Sequence, residues 1–210
     1  LGASKAILAV ILVCAILTYG GVSLFVVAFA IYPIAKDLFK AADIPKRLIP
    51  AAIALGSFTF TMTALPGTPA IQNAIPIPYY NTNVFAAPIL GLIGGSIMFI
   101  CGWLWLQSRA RKANAVGEGY GQHDEEDVGG VGAAKQASET LSTHHTSFTV
   151  AMIPLVLVIA LNALLTYAIF PSLDFSGLQT QFPDLNIAGS LGLWSIIISL
   201  VVACTVLIVL

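Results

Sequence analysis

The chain has 210 residues, of which 58% are hydrophobic and 9% charged, and its mean hydropathy is +0.91. A soluble domain carries roughly 25% charged residues, so this composition excludes a soluble protein and predicts an all-α integral membrane protein. The net charge of −1 is uninformative by itself, but the nine Lys and Arg residues fall into a few clusters that set membrane topology. These are Lys5, residues 36–47, residues 109–112 and Lys135.

The first apolar stretch, residues 6–35, is interrupted near its middle by Gly20 and Gly21. As one straight helix it would be about 45 Å long, whereas the hydrocarbon core of a bilayer is about 30 Å thick. Two arrangements fit. In the one we favour, the glycines form the tip of a re-entrant hairpin whose arms, about a dozen residues each, return to the same side. In the other, the stretch crosses once as a broken, tilted helix.

A charged linker follows at residues 36–47, with four positive and two negative charges. Its basic residues predict a cytoplasmic position. Asp43 stands two residues before Pro45, a pattern typical of a helix start with a capping carboxylate and a proline in the first turn. We therefore expect a helix that enters the membrane from about Leu48.

That helix is interrupted within residues 57–78, where Pro66, Gly67 and Pro69 occur among hydroxyl and amide side chains. Proline lacks the amide donor and glycine costs about 1 kcal/mol in a helix interior, so the hydrogen-bond ladder should be lost over residues 64–73. Such backbone persists at membrane depth only when it is buried in protein or lines a watery cavity, and broken helices are typical of transporter binding sites. The break is the predicted binding site.

Three further spans are predicted, at residues 88–107, 148–170 and 187–210. Residues 76–81 and 171–186 carry no basic residue, so both should lie outside, whereas Trp103 and Trp105 lie where an aromatic belt is expected. The predicted organisation is a membrane segment (1–112), a flexible cytoplasmic linker (113–147) and two transmembrane helices (148–210). Because the chain starts with Leu1 and ends in an apolar run, we expect a piece of a longer protein, truncated at the C-terminus.

The linker is rich in Gly, Ala, Ser and acidic residues and cannot build a core. It contains His123, His144 and His145, but no Cys or carboxylate stands at metal-ligand spacing to them. We therefore predict solvated histidines, with no metal and no cofactor.

The polar side chains at membrane depth fall into two classes. For Ser57, Thr59 and Thr61 we favour hydrogen bonds to the backbone of their own helix. The polar side chains that flank the break cannot find hydrogen-bond partners for all their donors and acceptors nearby, because Gln and Asn amides each carry two donors and an acceptor. No Arg, Lys, Asp, Glu or His lies in a predicted span. An anion would be held by helix N-termini, backbone amides and neutral side chains, and the spans hold no nucleophile–base pair, so we predict no enzyme.

Three runs carry a resemblance to a known family: Leu-Thr-Tyr-Gly-Gly-Val-Ser-Leu-Phe-Val-Val-Ala-Phe at 17–29, Ala-Asp-Ile-Pro-Lys-Arg-Leu-Ile-Pro at 42–50, and Phe-Thr-Met-Thr-Ala-Leu-Pro-Gly-Thr-Pro-Ala-Ile-Gln-Asn at 60–73. They resemble the gluconate permease family of the ion transporter superfamily, over residues 5–106 by these runs and beyond by hydropathy and length. The resemblance implies a homodimeric, inverted-repeat elevator transporter in the bacterial inner (cytoplasmic) membrane. It implies uptake of gluconate or a related small hydroxycarboxylate with protons.

In that superfamily a hairpin tip and an adjacent unwound helix form the substrate and ion site. Carried onto this chain, the resemblance implies these site residues: Gly20, Gly21 and Ser23 at the tip, and Thr63, Pro66, Gly67, Thr68, Gln72 and Asn73 in the unwound helix. Sodium coupling is an alternative, since unwound carbonyls with Thr and Asn oxygens also coordinate Na⁺. A non-transporting membrane scaffold is another. The expected partners are the bilayer, an organic acid anion and a proton or sodium, with no nucleic acid.

Overall fold

The computed structural model describes residues 2–63, 65–121, 148–182 and 186–209, and no strand occurs in these ranges. The helices are α1 (Ala3–Tyr19), α2 (Leu24–Ala41), α3 (Ile49–Phe58), α4 (Phe60–Thr63), α5 (Ile71–Ala74), α6 (Ile77–Tyr80), α7 (Pro88–Ala115), α8 (Phe148–Leu164), α9 (Ser176–Gln181) and α10 (Ile187–Val209). A 3₁₀ turn (Lys46–Leu48) precedes α3, and α8 continues through a π-helical turn (Leu165–Ile169) into Phe170–Ser172. The all-α prediction is confirmed for the described residues.

Within the described ranges, three helical stretches are long and apolar enough to cross a membrane: Pro88–Ala115, Met152–Ser172 and Ser190–Ile208. By length and composition they confirm the spans predicted at 88–107, 148–170 and 187–210. Only 11% of the most apolar window of α7 is buried. Large apolar side chains such as Leu90 and Ile93 are therefore left exposed, as contact with lipid tails requires.

The chain divides into two compact units. The first contains the described residues of Leu1–Thr18, Val22–Ala64 and Leu92–His145, and the second those of Tyr19–Gly21, Leu65–Gly91 and Thr146–Leu210. The last residue of α1, Tyr19, and the two glycines that follow it thus belong to the second unit, although the rest of α1 and all of α2 belong to the first.

In the first unit, the backbones of α1 and α3 approach each other closely at one point, which is Gly56 of α3. The buried face of α1 includes Ile7, Ile11 and Cys14, spaced three or four residues apart as one helix face requires. A Cβ added at Gly56 of α3 would lie 2.5 Å from the Ile11 carbonyl oxygen and 2.7 Å from Cys14 Cβ. Small residues permit this close approach, which is a usual means of helix association in membranes.

The break predicted at Gly20 and Gly21 is confirmed, but its two arms are longer than expected. Helix α1 has 17 residues and α2 has 18, and α2 runs through Pro33 and includes Lys36 of the predicted linker. At 1.5 Å per residue the arms are about 26 and 27 Å long, close to the thickness of the hydrocarbon core rather than half of it. Whether they form a re-entrant hairpin stays a prediction.

The cytoplasmic cap predicted for α3 is wrong. Asp43 adopts a positive φ of 49°, and the 3₁₀ turn that follows has no side-chain cap. Asp43 Oδ1 instead accepts a hydrogen bond of 2.8 Å from the backbone N–H of Tyr120, 77 residues away. The carboxylate therefore joins two segments that are distant in the sequence, because it accepts the Tyr120 amide hydrogen instead of an amide of the helix start that follows it.

A bidentate ion pair joins the same two segments. Arg47 Nε and Nη2 donate to the two carboxylate oxygens of Glu118, each at 2.7 Å. This pairing raises the pKa of Arg47 and lowers the pKa of Glu118. The predicted linker, residues 113–147, therefore begins with the end of α7 and an ordered turn. Its three histidines lie outside the described residues, so the absence of a metal stays a prediction.

We expect the stability contributed by the Arg47–Glu118 pair to depend on pH. Because the pKa of Glu118 is lowered in the folded protein, the contribution is fully present above the ordinary Glu range, near pH 4.3. It is lost as the pH falls through the lowered pKa.

Melting temperatures of the parent protein and of Glu118→Gln should therefore differ at pH 7 and converge in acid. A difference that stays constant down to about pH 3 would contradict the assignment. High salt should also reduce it, since the pair is exposed.

The second unit has its own apolar core. Ile77, Val84 and Ile196 are buried together, with Ala74, Phe85, Leu193 and Leu200 packed around them. At the end of α6, the Asn186 side-chain amide donates to Asn81 Oδ1 at 2.7 Å. Helix α10 therefore holds the stretch that follows the predicted binding site, and it also packs on α8.

Candidate functional site

The helix that follows the charged linker at residues 36–47 breaks earlier than predicted. Helix α3 ends at Phe58, Thr59 has irregular dihedrals (φ −107°, ψ −107°), and residues 65–70 are not helical. Thr59 Oγ1 donates to the Leu55 carbonyl oxygen at 2.5 Å and Thr61 Oγ1 to that of Gly56 at 2.7 Å. The predicted backbone bonding is thus confirmed for Thr59 and, across the break, for Thr61, but not for Ser57, whose buried Oγ bonds no backbone carbonyl. The two hydrogen bonds supply donors to carbonyls where the ladder begins to fail.

Only glycine fits at the centre of the break. Gly67 has a φ of +85°, a region that other residues rarely adopt, and its N–H donates to the Val84 carbonyl oxygen at 2.8 Å. A Cβ at this position would lie 2.6 Å from Cε1 of the Phe85 ring. That ring is itself packed against Tyr167, with the ring centroids 5.4 Å apart. The turn is therefore fixed by both its dihedrals and its surroundings.

The carbonyls freed by the break have side-chain partners. Tyr19 donates its hydroxyl to the Pro66 carbonyl oxygen at 2.8 Å. The Asn73 Nδ2 approaches the carbonyl oxygens of Leu65 and Thr68 at 3.5 and 3.4 Å, and the Ala70 N–H donates to Thr68 Oγ1 at 3.3 Å. The unwound segment is thus a built structure with its own hydrogen bonds.

The two helix breaks meet within the second unit. Besides the Tyr19–Pro66 hydrogen bond, Gly21 (φ +95°) approaches Pro69 so closely that an added Cβ would lie 2.9 Å from Pro69 Cγ. The same Cβ would lie 4.0 Å from Leu200 Cδ2 on α10. The proposed hairpin tip, the unwound segment and α10 therefore share one packed region.

The predicted site residues differ in unit and in exposure. Gly20, Gly21, Gly67, Thr68, Gln72 and Asn73 lie in the second unit, whereas Ser23 and Thr63 belong to the first. Gly67 and Thr68 are buried and Asn73 is half-buried. Gly21 and Gln72 are exposed. Buried members therefore hold the turn, and exposed members are the ones that a solute could touch.

A second polar cluster lies between α8 and α10, and the sequence analysis missed it. Asn162, Ser195 and Ser199 are buried, and Thr166 is partly buried in the π-helical turn that follows α8. The Asn162 Oδ1 lies 3.4 Å from Thr166 Oγ1 and 3.5 Å from Ser195 Oγ. An isolated Asn in an apolar span is a signal that sequence reasoning could have used, because a buried amide needs partners.

These features define the class: a helical, multi-pass membrane protein with two helix breaks packed together in one unit. Among curated proteins, the chain is similar to the "Uncharacterized transporter YxjC" of Bacillus subtilis (strain 168), with 48% identity over 206 residues. The alignment covers 96% of this chain and 43% of that protein, so the chain spans less than half the length of this relative. No family model and no solved structure matches the chain. Membership of the gluconate permease family stays a prediction.

Proposed function

We propose that this chain is the substrate-binding part of a secondary active transporter for a small organic acid anion. The observation that carries the proposal is the contact between the two helix breaks, made by the Tyr19–Pro66 hydrogen bond and by Gly21 against Pro69. Paired discontinuous helices are the usual form of a transporter binding site. The name of the similar protein, a transporter, supports the same class.

The chemistry near the breaks favours a polyhydroxylated anion. Gly21 exposes backbone at the tip, and Gln72 offers an exposed amide at the start of α5. Both can donate hydrogen bonds to carboxylate or hydroxyl oxygens without a fixed positive charge. The described residues of the second unit contain no Lys or Arg. We therefore propose gluconate or a related hydroxycarboxylate as substrate, in line with the resemblance.

For the driving ion we propose the proton, which the resemblance implies, with sodium as the second candidate. Ion-coupled symport requires a site for the ion. No acidic side chain that could carry a proton occurs in α8 or α10. A proton would then be carried by a group at the membrane edge or by the substrate itself. The neutral oxygen cluster between α8 and α10 supports sodium as that second candidate.

The decisive experiment is uptake of labelled gluconate into vesicles that contain the full-length protein, with an imposed pH gradient and competing acids. Accumulation that a protonophore abolishes would support proton symport. Gln72→Ala should reduce uptake at least about tenfold, as loss of one hydrogen bond to a charged group implies. Its melting temperature should not change, because Gln72 is exposed.

Two variants complete the design. Gln181→Ala truncates another exposed glutamine of the second unit, in α9, and should leave uptake unchanged. Tyr19→Phe removes only the hydroxyl that binds the Pro66 carbonyl oxygen, so it should reduce uptake and lower stability by about 1 kcal/mol. Full uptake in both Gln72→Ala and Tyr19→Phe would place the binding site elsewhere. Absence of transport of any tested acid by a well-folded protein would favour the non-transporting scaffold.

A further inference from the structure

The cluster between α8 and α10 has an unusual geometry. Asn162 Oδ1, Thr166 Oγ1 and Ser195 Oγ form a nearly equilateral triangle with sides of 3.4, 3.4 and 3.5 Å. Hydroxyl hydrogen bonds to oxygen are normally about 2.7 to 2.8 Å long. The three oxygens therefore converge through long, weak hydrogen bonds, in which Thr166 Oγ1 donates to Asn162 Oδ1 or to Ser195 Oγ.

The hydrogens of the serine hydroxyls are directed elsewhere. Ser195 Oγ donates to the Gly192 carbonyl oxygen at 2.9 Å, and Ser199 Oγ donates to the Ser195 carbonyl oxygen at 2.6 Å. Ser195 Oγ thus presents its lone pairs to the cluster, where one of them can accept the long hydrogen bond from Thr166 Oγ1. The Asn162 amide also turns its oxygen toward the hydroxyls, although this leaves its buried Nδ2 without a hydrogen-bond partner.

We infer that Asn162, Thr166 and Ser195 form a binding site for a monovalent cation of the size of sodium. Na⁺ is close in size to Ca²⁺, whose oxygen ligands lie about 2.4 Å from the ion. Two ligands at that distance and at a right angle are about 3.4 Å apart, which matches all three sides of the triangle. The larger K⁺ would need wider sides.

The chemistry of the three ligand oxygens favours a cation with a single charge over a divalent cation. All three oxygens are neutral, and the described residues contain no group of three or more His, Cys, Asp or Glu side chains. Divalent cations in proteins depend on carboxylates for affinity. Sodium in membrane transporters is held by hydroxyl, amide and carbonyl oxygens instead. The remaining coordination positions would be filled by water or by an oxygen of the substrate.

The surroundings of the cluster support a ligand site. Thr166 lies in the π-helical turn Leu165–Ile169, and π turns are rare and frequently found at functional sites. Ser195 is five residues before Leu200, which contacts the Gly21 tip, so the site lies roughly 8 Å along α10 from the level of that contact. A cation here could be coupled to substrate binding at the break. That role in coupling rests on the proposed function, whereas cation binding does not.

The test measures the melting temperature of the purified full-length protein in detergent at constant ionic strength, with Na⁺, K⁺ or choline as the cation. We expect saturating Na⁺ to raise it by at least about 3 °C over K⁺ and choline. Thr166→Val and Ser195→Ala should each weaken the apparent Na⁺ affinity at least about tenfold. Thr166→Ser keeps the oxygen and should retain the effect even if Thr166→Val folds poorly.

Matched controls come from α10 itself. The Thr205 hydroxyl donates to the Val201 carbonyl oxygen, and the Ser190 hydroxyl donates to that of Asn186, just before α10, each at 2.8 Å. Thr205→Val and Ser190→Ala remove these hydroxyls, and both should keep the full Na⁺ effect. Equal melting temperatures in Na⁺ and K⁺, or an unchanged Na⁺ effect in both Thr166→Val and Ser195→Ala, would overturn the inference. Sodium binding without any anion uptake would refute the transport proposal alone. Proton-driven uptake without sodium binding would refute this site alone.

Discussion

Gly67→Ala is expected to abolish transport, with a loss of at least about 100-fold in the initial rate of uptake. Alanine at a φ of +85° is strained by about 1 to 2 kcal/mol. Its Cβ would also lie 2.6 Å from the Phe85 ring, which cannot move freely because it packs on Tyr167. The unwound segment must therefore shift, and a shift of about 1 Å misplaces every group that it presents.

The initial rate of uptake into vesicles measures the loss of transport. The melting temperature measures the cost of the strained backbone and of the clash. Gly94→Ala is the matched control: Gly94 lies in α7, nothing lies within 4 Å of an added Cβ, and uptake should be unchanged. The double variant Gly67→Ala/Phe85→Leu relieves the clash but not the strain, so it should recover only part of the rate. Normal uptake by Gly67→Ala would show that the shape of this turn is irrelevant to transport.

The second large effect is on stability. Gly56→Ala places a methyl group 2.5 Å from the Ile11 carbonyl oxygen and 2.7 Å from Cys14 Cβ. These are atoms of the α1 backbone or next to it, so α1 and α3 must move apart. Overpacking of this kind costs about 1 to 3 kcal/mol. We expect a marked loss of folded protein in membranes and a melting temperature lowered by several degrees.

Gly102→Ala distinguishes backbone clashes from side-chain clashes. The three atoms nearest to the Cβ that it adds are Cδ1, Cδ2 and Cγ of the Leu55 side chain, which can adopt another rotamer. The loss of stability should therefore be smaller than for Gly56→Ala, while Gly94→Ala should be neutral or slightly stabilising, since alanine favours a helix. Equal stability of Gly56→Ala and Gly94→Ala would contradict the close packing of α1 on α3.

The spans and the breaks were predictable because they depend on local properties. A run of apolar residues long enough to cross the bilayer is visible in the sequence alone, as in α7 and α10. The same is true of the two breaks, because proline lacks a donor and glycine weakens a helix wherever they occur. The lengths of the arms were not predictable. Helix α2 continues past Pro33 into charged residues, since packing in the first unit outweighs the local preference.

The partners of the polar groups were less predictable. Asp43 has the spacing of a helix cap, yet it binds the Tyr120 amide across 77 positions of sequence. Gln72 and Asn73 are adjacent amides that the sequence treats alike, but Gln72 is exposed and Asn73 lies against the carbonyls of Leu65 and Thr68. Which direction a side chain takes depends on the elements that pack around it.

The sequence by itself determined that this is a helical membrane protein whose helices break at Gly20–Gly21 and around Pro66–Pro69, because hydropathy and missing backbone donors are properties of the residues themselves. Only the tertiary structure decided that the breaks meet, through Tyr19 and Pro66, 47 positions apart. It also decided that Asn162 and Ser195, 33 positions apart, converge on one point. Such contacts arise from the packing of α8, α10 and the unwound segment, which no local preference specifies.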